Sequence, residues 1–259
     1  MAEFRCFRRG RPGSLETMPD PVNQTAAHGV YGWTSRLFDR LLPSRCLVCS
    51  ERGTIGRDLC PTCCESLPWL TTSCARCALP LGIDAELCGD CLRRPPPQTA
   101  TRAAFVYRTP LDRLLPRAKF HGDLAGLRLL STLMGDSLRD AERPEALAPI
   151  PLHRDRLRRR CYDQALELAR PLARRLGVPL RDDLLRRVRA TAAQSRLAAG
   201  ARRRNLRGAF EVRANASLPA HVALIDDVMT TGATARSAAL ALRRAGVQRV
   251  DVWVCARVP

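Results

Sequence analysis

Apolar and polar positions along the chain fall into two unlike regimes. From Thr99 onward, short apolar runs alternate with stretches of helical period. RAAFVYR (102–108), ALAPIPL (146–152), HVALI (221–225) and RVDVWVCA (249–256) read as strands. LAGLRLLSTLMGDSL (124–138), DQALELARPLARRLG (163–177) and ATARSAALALRRAG (233–246) read as helices. The second of these helices carries both end signals, with Asp163 at its N-cap and Gly177 past its last turn. Ala165, Leu168, Ala169, Leu172 and Leu176 line one of its faces, and Pro171 inside it predicts a kink. Strand–helix–strand repetition predicts an α/β domain with a mainly parallel sheet over residues 99–259. Ligands on such sheets bind beyond the C-terminal strand ends.

Upstream of Thr99 the composition changes. The prolines of LRRPPPQ (92–98) form a stiff connector. Before it, residues 31–94 hold one helical pattern, with Trp33, Leu37, Phe38 and Leu41 at helical spacing, and then eight cysteines in four C-x2-C pairs. The pairs are Cys46/Cys49, Cys60/Cys63, Cys74/Cys77 and Cys88/Cys91; ten residues separate the pairs within each half, and the halves repeat at a period of 28. A C-x2-C turn presents two sulfurs together, and two such turns close one tetrahedral zinc site. The simplest assignment is two zinc ribbons in series, Cys46, Cys49, Cys60 and Cys63 holding one ion and Cys74, Cys77, Cys88 and Cys91 the other. An interleaved pairing stays open, and Cys64 beside Cys63 can shift the register. Four thiolates leave no position for water, so both ions are expected to be structural. They would fold about 50 residues that contain too few large apolar side chains to hold themselves together.

The charge adds a preference for anions. The formal net charge is +18, and between Pro151 and Arg213 there are 18 Arg against 6 Asp or Glu. Such a field suits nucleic acid or a polyphosphate. Of the 43 basic residues only Lys119 is a lysine, and a retained primary amine suits point-charge contact with phosphate. Aromatic content of 5% argues against a base-stacking platform. No apolar run reaches the roughly 18 residues of a membrane span. Residues 1–30 form an Arg-, Gly- and Pro-rich tail without the apolar core of a secretory signal, and Met18 is an alternative start. These features predict a disordered tail and a cytoplasmic protein without membrane insertion.

The chemistry concentrates in HVALIDDVMTTGATARS (221–237). An apolar strand delivers Asp226 and Asp227 to the sheet edge, and the turn Thr230-Thr231-Gly232-Ala233-Thr234 opens the next helix. Free amides, hydroxyls and the helix dipole make that turn a phosphate cradle, with Gly232 allowing close approach. Two acids beside it suit a ribose diol and Mg²⁺. A sugar phosphate satisfies both halves. The stretch is neither a G-x4-G-K-[ST] loop nor a G-x-G-x-x-G turn.

The strand, the Asp-Asp pair and V-M-T-T-G-A-T resemble the phosphoribosyl diphosphate (PRPP) motif of type I phosphoribosyltransferases. Together with the double C-x2-C module, Lys119-Phe120, PIPLHRDRLRRRCYDQA, RATAAQSRLAAGARRRNLRGAF and the final VWVCARV, the chain from Leu41 to its C-terminus resembles the ComF/GntX, or competence protein F, family. The resemblance implies a type I phosphoribosyltransferase-like fold. It implies that Asp226 and Asp227 hold the ribose hydroxyls with Mg²⁺ and that Thr230 to Thr234 hold the 5-phosphate. Lys119, Arg159, Arg160 and Gln164 would contact the diphosphate, and residues 189–205, with Gln194 and Asn205, would form a flexible loop. It also implies work in DNA uptake, with single-stranded DNA and a helicase-like competence protein as partners. Three readings follow: phosphoribosyl transfer to an unidentified acceptor, single-strand binding, and a PRPP-responsive adaptor without turnover. The chain departs from the family pattern R-R-G-[FY]-[ND]-Q at one place, where Cys161 takes the glycine position. If that position needs positive φ, Cys161 is strained there.

Overall fold

The computed structural model describes residues 44–83, 85–120, 122–189, 208–213 and 217–259. The tail, the helix expected near Trp33–Leu41, Gln194 and Asn205 lie outside the described residues. Compactness divides the chain between Ser66 and Leu67.

In the first unit, the described residues 44–66 wrap the first cysteine group. Ser50 adopts left-handed backbone after Cys49, and the turn closes through Ser50 N–H to the Cys46 carbonyl (2.9 Å) and Cys46 N–H to the Glu51 carbonyl (2.8 Å). Gly53 is required by proximity, since a Cβ there would stand 2.8 Å from the Arg57 carbonyl oxygen. The second C-x2-C turn runs into helix α1 (Pro61–Glu65). Cys60 is its N-cap and Pro61 begins it, where a missing N–H costs nothing.

The second unit, Leu67–Pro259, contains the second cysteine group as well as the sheet. Composition places a boundary at the proline run, whereas packing makes the second ribbon part of the sheet's own core. Cys74, Cys77, Cys88 and Cys91 are buried in one cluster with Val222, Leu224, Val250, Val252 and Val254. The unit runs through α2 (Gly89–Arg93), β1 (Ala100–Val106), α3 (Leu111–Phe120), α4 (Leu124–Ser137), β2 (Ala146–Pro149) and α5 (Arg154–Arg160). It continues through α6 (Gln164–Leu176), β3 (Leu185–Arg187), β4 (Phe210–Val212), β5 (His221–Met229), α7 (Ala233–Arg244) and β6 (Arg249–Arg257).

Strands β1, β6, β5 and β2 lie in that order and every pairing is parallel, while β3 and β4 form a separate antiparallel pair. Successive residues of β5 and β6 are buried whichever way they point, for example Val222 and Ala223, or Val252, Trp253 and Val254. Continuous apolar strands of this kind belong to a sheet covered on both faces. Helix α7 and the second ribbon pack against the Val222/Leu224 side, and α4 and α6 pack on each other and on the strands. Ser131 Oγ donates to the Leu168 carbonyl (2.9 Å), which fixes the α4–α6 contact. Helix α6 runs on across Pro171 from the predicted Asp163 cap to the predicted Gly177 terminus.

The outer edge of β1 would otherwise expose unpaired backbone. The segment before the ribbon covers part of it, with Leu70 N–H to the Ala104 carbonyl (3.0 Å) and Val106 N–H to the Pro68 carbonyl (2.8 Å). The Cys74–Cys77 turn covers more, as Thr101 donates from its backbone to the Ala75 carbonyl and from Oγ1 to the Arg76 carbonyl, both at 2.8 Å. No helix among the described residues is long and apolar enough to cross a membrane.

Candidate functional site

The sulfurs fall into two groups, Cys46/Cys49/Cys60/Cys63 and Cys74/Cys77/Cys88/Cys91, each with all four ligand atoms within 4.8 Å of one another. The pairing is therefore serial, and Cys64 belongs to neither group. Cys49 Sγ and Cys60 Sγ are 3.7 Å apart, and Cys77 Sγ and Cys88 Sγ 3.6 Å. Four sulfurs at ~2.3 Å from a tetrahedral ion would stand ~3.8 Å apart, so both groups fit zinc. Burial pushes the Cys63, Cys77 and Cys91 thiols up, but neighbouring backbone N–H groups outweigh burial at Cys46, lowered to about 6, and at Cys74, lowered to about 7. Each group thus contains a thiol prepared to ionise. Cys49 is exposed, whereas every member of the second group is buried.

The other constellation arises where β5 loses a neighbour. β2 pairs with β5 only as far as Pro149 opposite Ile225, and the last bond is Ile150 N–H to the Ile225 carbonyl (2.9 Å). β6 goes on pairing to Met229 opposite Arg257. Asp226 to Met229 are consequently still strand, longer than HVALI alone predicts, but open on one side. A cleft of about 760 Å³ occupies the opening.

Three elements close around it. The chain leaving β2 turns at Leu152, whose N–H donates to Asp163 Oδ2 (2.9 Å), while Asp163 Oδ1 caps α6 through Ala165 N–H (3.0 Å). Helix α5 supplies Arg156, Arg159 and Arg160, and Arg160 donates to Gln164 Oε1 (3.1 Å). Gln164 is 3% exposed, and its Nε2 has no hydrogen-bond partner among the described residues, which leaves a buried donor at the cleft wall. Tyr162 donates to the Ala118 carbonyl and so ties the end of α3 to this wall. From α3, Lys119 Nζ stands 2.7 Å from Asp227 Oδ2, a charge contact that lacks the alignment of a hydrogen bond.

The fourth wall is the turn into α7. Gly232 is left-handed (φ 71°) and takes the N-cap position, where it has no side chain to offer the first amides of the helix. The positive φ is what calls for glycine; a Cβ there would meet only the flexible tip of Met229, 2.7 Å from Cε. The N-terminus of this 12-residue helix presents partial positive charge to the cleft.

Charge in the cleft is unbalanced toward cations. Lys119, Arg156, Arg159, Arg160 and Arg187 line it with Asp163, Asp226 and Asp227. Burial and the neighbouring Asp227 push Asp226 up to about 8, against the pull of Lys119. Burial likewise raises Asp163, and burial with Arg156 nearby brings Arg187 down to about 10. An Asp226 carboxyl this costly to ionise, beside crowded guanidinium groups, would be relieved by a ligand carrying both cation and anion.

The expected residues meet here in large part. Asp226, Asp227, Thr230, Gly232, Ala233 and Thr234 line the cleft with Lys119, Arg159, Arg160 and Gln164; Thr231 is exposed and does not. Arg156 and Arg187 were absent from the sequence reading. Arg156 lies three and four residues before Arg159 and Arg160, a helical spacing that would have pointed to it. Arg187 gave no signal: it is 8% exposed, lies on a three-residue strand and stacks its guanidinium 5.3 Å from the centroid of Phe210, 23 positions later in the chain.

Comparisons with known proteins agree with this layout. The double zinc ribbon domain family matches residues 37–92, which span both cysteine groups. Competence protein F of Haemophilus influenzae is 36% identical over 82% of this chain and 96% of its own length. The chain belongs to the competence protein F family. DNA utilization protein YhgH of Salmonella typhi is 33% identical over 83% of the chain and 98% of its length. Competence protein ComFC of Streptococcus pneumoniae is 27% identical over 85% and 89%.

Against the ComF family pattern, the Cys161 departure has a measurable consequence. Cys161 ends α5 in left-handed backbone, φ 63°. That conformation costs a residue with a Cβ about 1 kcal/mol, partly offset by the greater unfolded-state freedom of glycine. Cys161→Gly is expected to stabilise the fold by up to roughly 0.5 kcal/mol in denaturant unfolding. A loss of stability would show that the Cys161 side chain contributes more than its backbone strain.

Proposed function

We propose that the cleft binds PRPP together with Mg²⁺ and that the chain serves DNA uptake, a reading supported by relatives named competence protein and DNA utilization protein. The observation that carries the ligand is the conjunction at β5: two carboxylates on a strand opened beyond Ile225, followed directly by a glycine-capped helix N-terminus, all facing five cationic side chains. Asp226 and Asp227 would accept from the ribose hydroxyls. The Gly232–Ala235 turn would take the 5-phosphate, and Arg156, Arg159, Arg160 and Arg187 the diphosphate. The hard oxygen donors of the acid pair fit Mg²⁺, which supplies charge neutralisation between carboxylates and diphosphate. Lys119 already neutralises Asp227 at 2.7 Å, so the ligand would compete with that ion pair or share it. Asp163 is committed to three backbone N–H groups and serves to hold the wall rather than to move protons. Transfer to an acceptor would draw on the acceptor's own nucleophile, and binding alone would suit a PRPP-responsive adaptor.

Calorimetric titration with PRPP tests the reading. Saturable binding that requires Mg²⁺ is expected, and no heat at millimolar PRPP in either condition would sink it.

A second reading, contact with single-stranded DNA, has its own observation. Helix α5 buries none of its residues and exposes Arg154, Arg158 and Arg159, and relatives are named DNA utilization proteins. Oligonucleotide binding should then weaken steeply with salt and weaken further in Arg154→Glu/Arg158→Glu. No binding at low salt would end that reading.

A further inference from the structure

Arg257, the last residue of β6, is 7% exposed and has no place in the ligand set above. Its guanidinium reaches two parts of the molecule at once. Nε donates to the carbonyl of Cys77 (3.0 Å), inside the second cysteine group. Nη1 donates to the carbonyls of Met229 (3.2 Å) and Thr230 (2.6 Å), at the start of the phosphate turn, and to that of Val258. Met229 is the residue whose Cε packs against Gly232, so the same carbonyl contacts hold the left-handed turn. Backbone pairing of Met229 with Arg257 in the register of β5 and β6 fixes the guanidinium's starting point.

Charge explains why an arginine is tolerated there. A buried guanidinium with only carbonyl partners is costly. A tetrathiolate zinc site would carry net negative charge, which would offset the cost of the Arg257 cation held against the Cys77 carbonyl. Metal holds those sulfurs together, the Cys77 carbonyl holds Nε, and Nη1 holds the turn. A planar five-donor fork can span these acceptors, whereas lysine, a single point donor, can satisfy only part of them.

We propose that Arg257 is a positioning residue that couples the second zinc site to the phosphate turn, so that ligand binding in the cleft and the geometry of the Cys74/Cys77/Cys88/Cys91 metal depend on each other. This inference rests on the PRPP reading of the cleft. Coupling of this kind is reciprocal: a metal site that shapes the turn must itself respond when the turn is filled.

The test uses the full chain loaded with Co²⁺ in place of zinc, whose visible bands report the geometry around thiolates. Titration of wild type with PRPP and Mg²⁺ comes first. Heat without any response of the cobalt bands would overturn the coupling and spare the PRPP reading; no heat would overturn both. With coupling, saturating PRPP shifts the cobalt bands. Arg257→Met then abolishes the shift and weakens PRPP at least tenfold, and Arg257→Lys recovers part of each. Arg249→Met is the control, because Arg249 starts the same strand and is held by Glu142 and Asp251 away from the turn. It should lower the melting temperature and leave PRPP affinity within about twofold. Equal losses of affinity in Arg249→Met and Arg257→Met would reveal general destabilisation and overturn the coupling. Should Arg257→Met fail to fold, the band shift in wild type and its reduction in Arg257→Lys decide the matter.

Discussion

Asp226→Asn/Asp227→Asn is expected to abolish Mg²⁺-dependent PRPP binding, a loss of at least a hundredfold, while making the protein more stable at alkaline pH. The two effects have one cause. Two adjacent carboxylates are held at an opened strand end, where burial and mutual repulsion push Asp226 up to about 8. In the unfolded chain an aspartate ionises near 4. Below that value both states are protonated and nothing is lost. Between about 4 and 8 the unfolded chain ionises while the folded protein keeps its proton, so stability falls as pH rises through this window. Above about 8 the penalty is fully present.

Asparagine removes the charge and with it the pH dependence. A shift from about 4 to about 8 bounds the gain at about 5 kcal/mol, and loss of the Lys119–Asp227 ion pair offsets part of it. A gain on the order of 1 kcal/mol or more at pH 8.5, shrinking toward pH 4, should appear in paired denaturant titrations. Calorimetry reads the other half of the prediction. A double variant that still binds PRPP would remove the acid pair from the site, and one destabilised at alkaline pH would show that Lys119 stabilises the pair more than repulsion costs.

The second large effect separates the two metal groups. Cys74→Ser should prevent the sheet-bearing unit from folding, whereas Cys49→Ser should leave its melting temperature within about 2 °C. Apparent binding free energies of structural zinc are about 10–16 kcal/mol, comparable with or larger than the whole stability of a domain. Cys74 is fully buried and shares its cluster with Val222, Leu224 and Val252, and its ribbon turn supplies the acceptors that cover β1. Losing metal there removes core and edge protection together. Cys49 is exposed and belongs to the other compact unit. Thiol alkylation followed by mass spectrometry after chelator addition should accordingly modify Cys46, Cys49, Cys60 and Cys63 before the second set. Circular dichroism of the two variants checks the stability contrast, and equal unfolding in both would mean that the second ribbon is no more integral to the fold than the first.

Much of this was legible before any coordinates because it is local. A C-x2-C spacing dictates which sulfurs share a turn, Asp163 and Gly177 mark helix ends through backbone groups within reach, and an apolar run followed by Asp-Asp and a Thr/Gly turn places acids beside helix amides. Helix α3 is also local in pattern, since Leu111, Leu114, Leu115 and Ala118 are buried at helical spacing, but Pro116 interrupts it. Helix α5 buries nothing and so leaves no periodic trace.

Spacing in the sequence thus determined the two cysteine repeats, the parallel α/β order and the acid pair with the Thr/Gly turn after it. Tertiary structure alone decided that sulfurs pair in series, that the second ribbon is core, that Cys161 is left-handed, that Arg187 faces the site and that Arg257 backs the turn beside it, both from distant segments. It also decided where the cleft opens. A strand's length is set by its neighbours, and only the early end of β2 against the continuing β6 exposes Asp226 and Asp227 on one side while holding them on the other. Periodicity describes a segment alone and carries no information about where its partner stops.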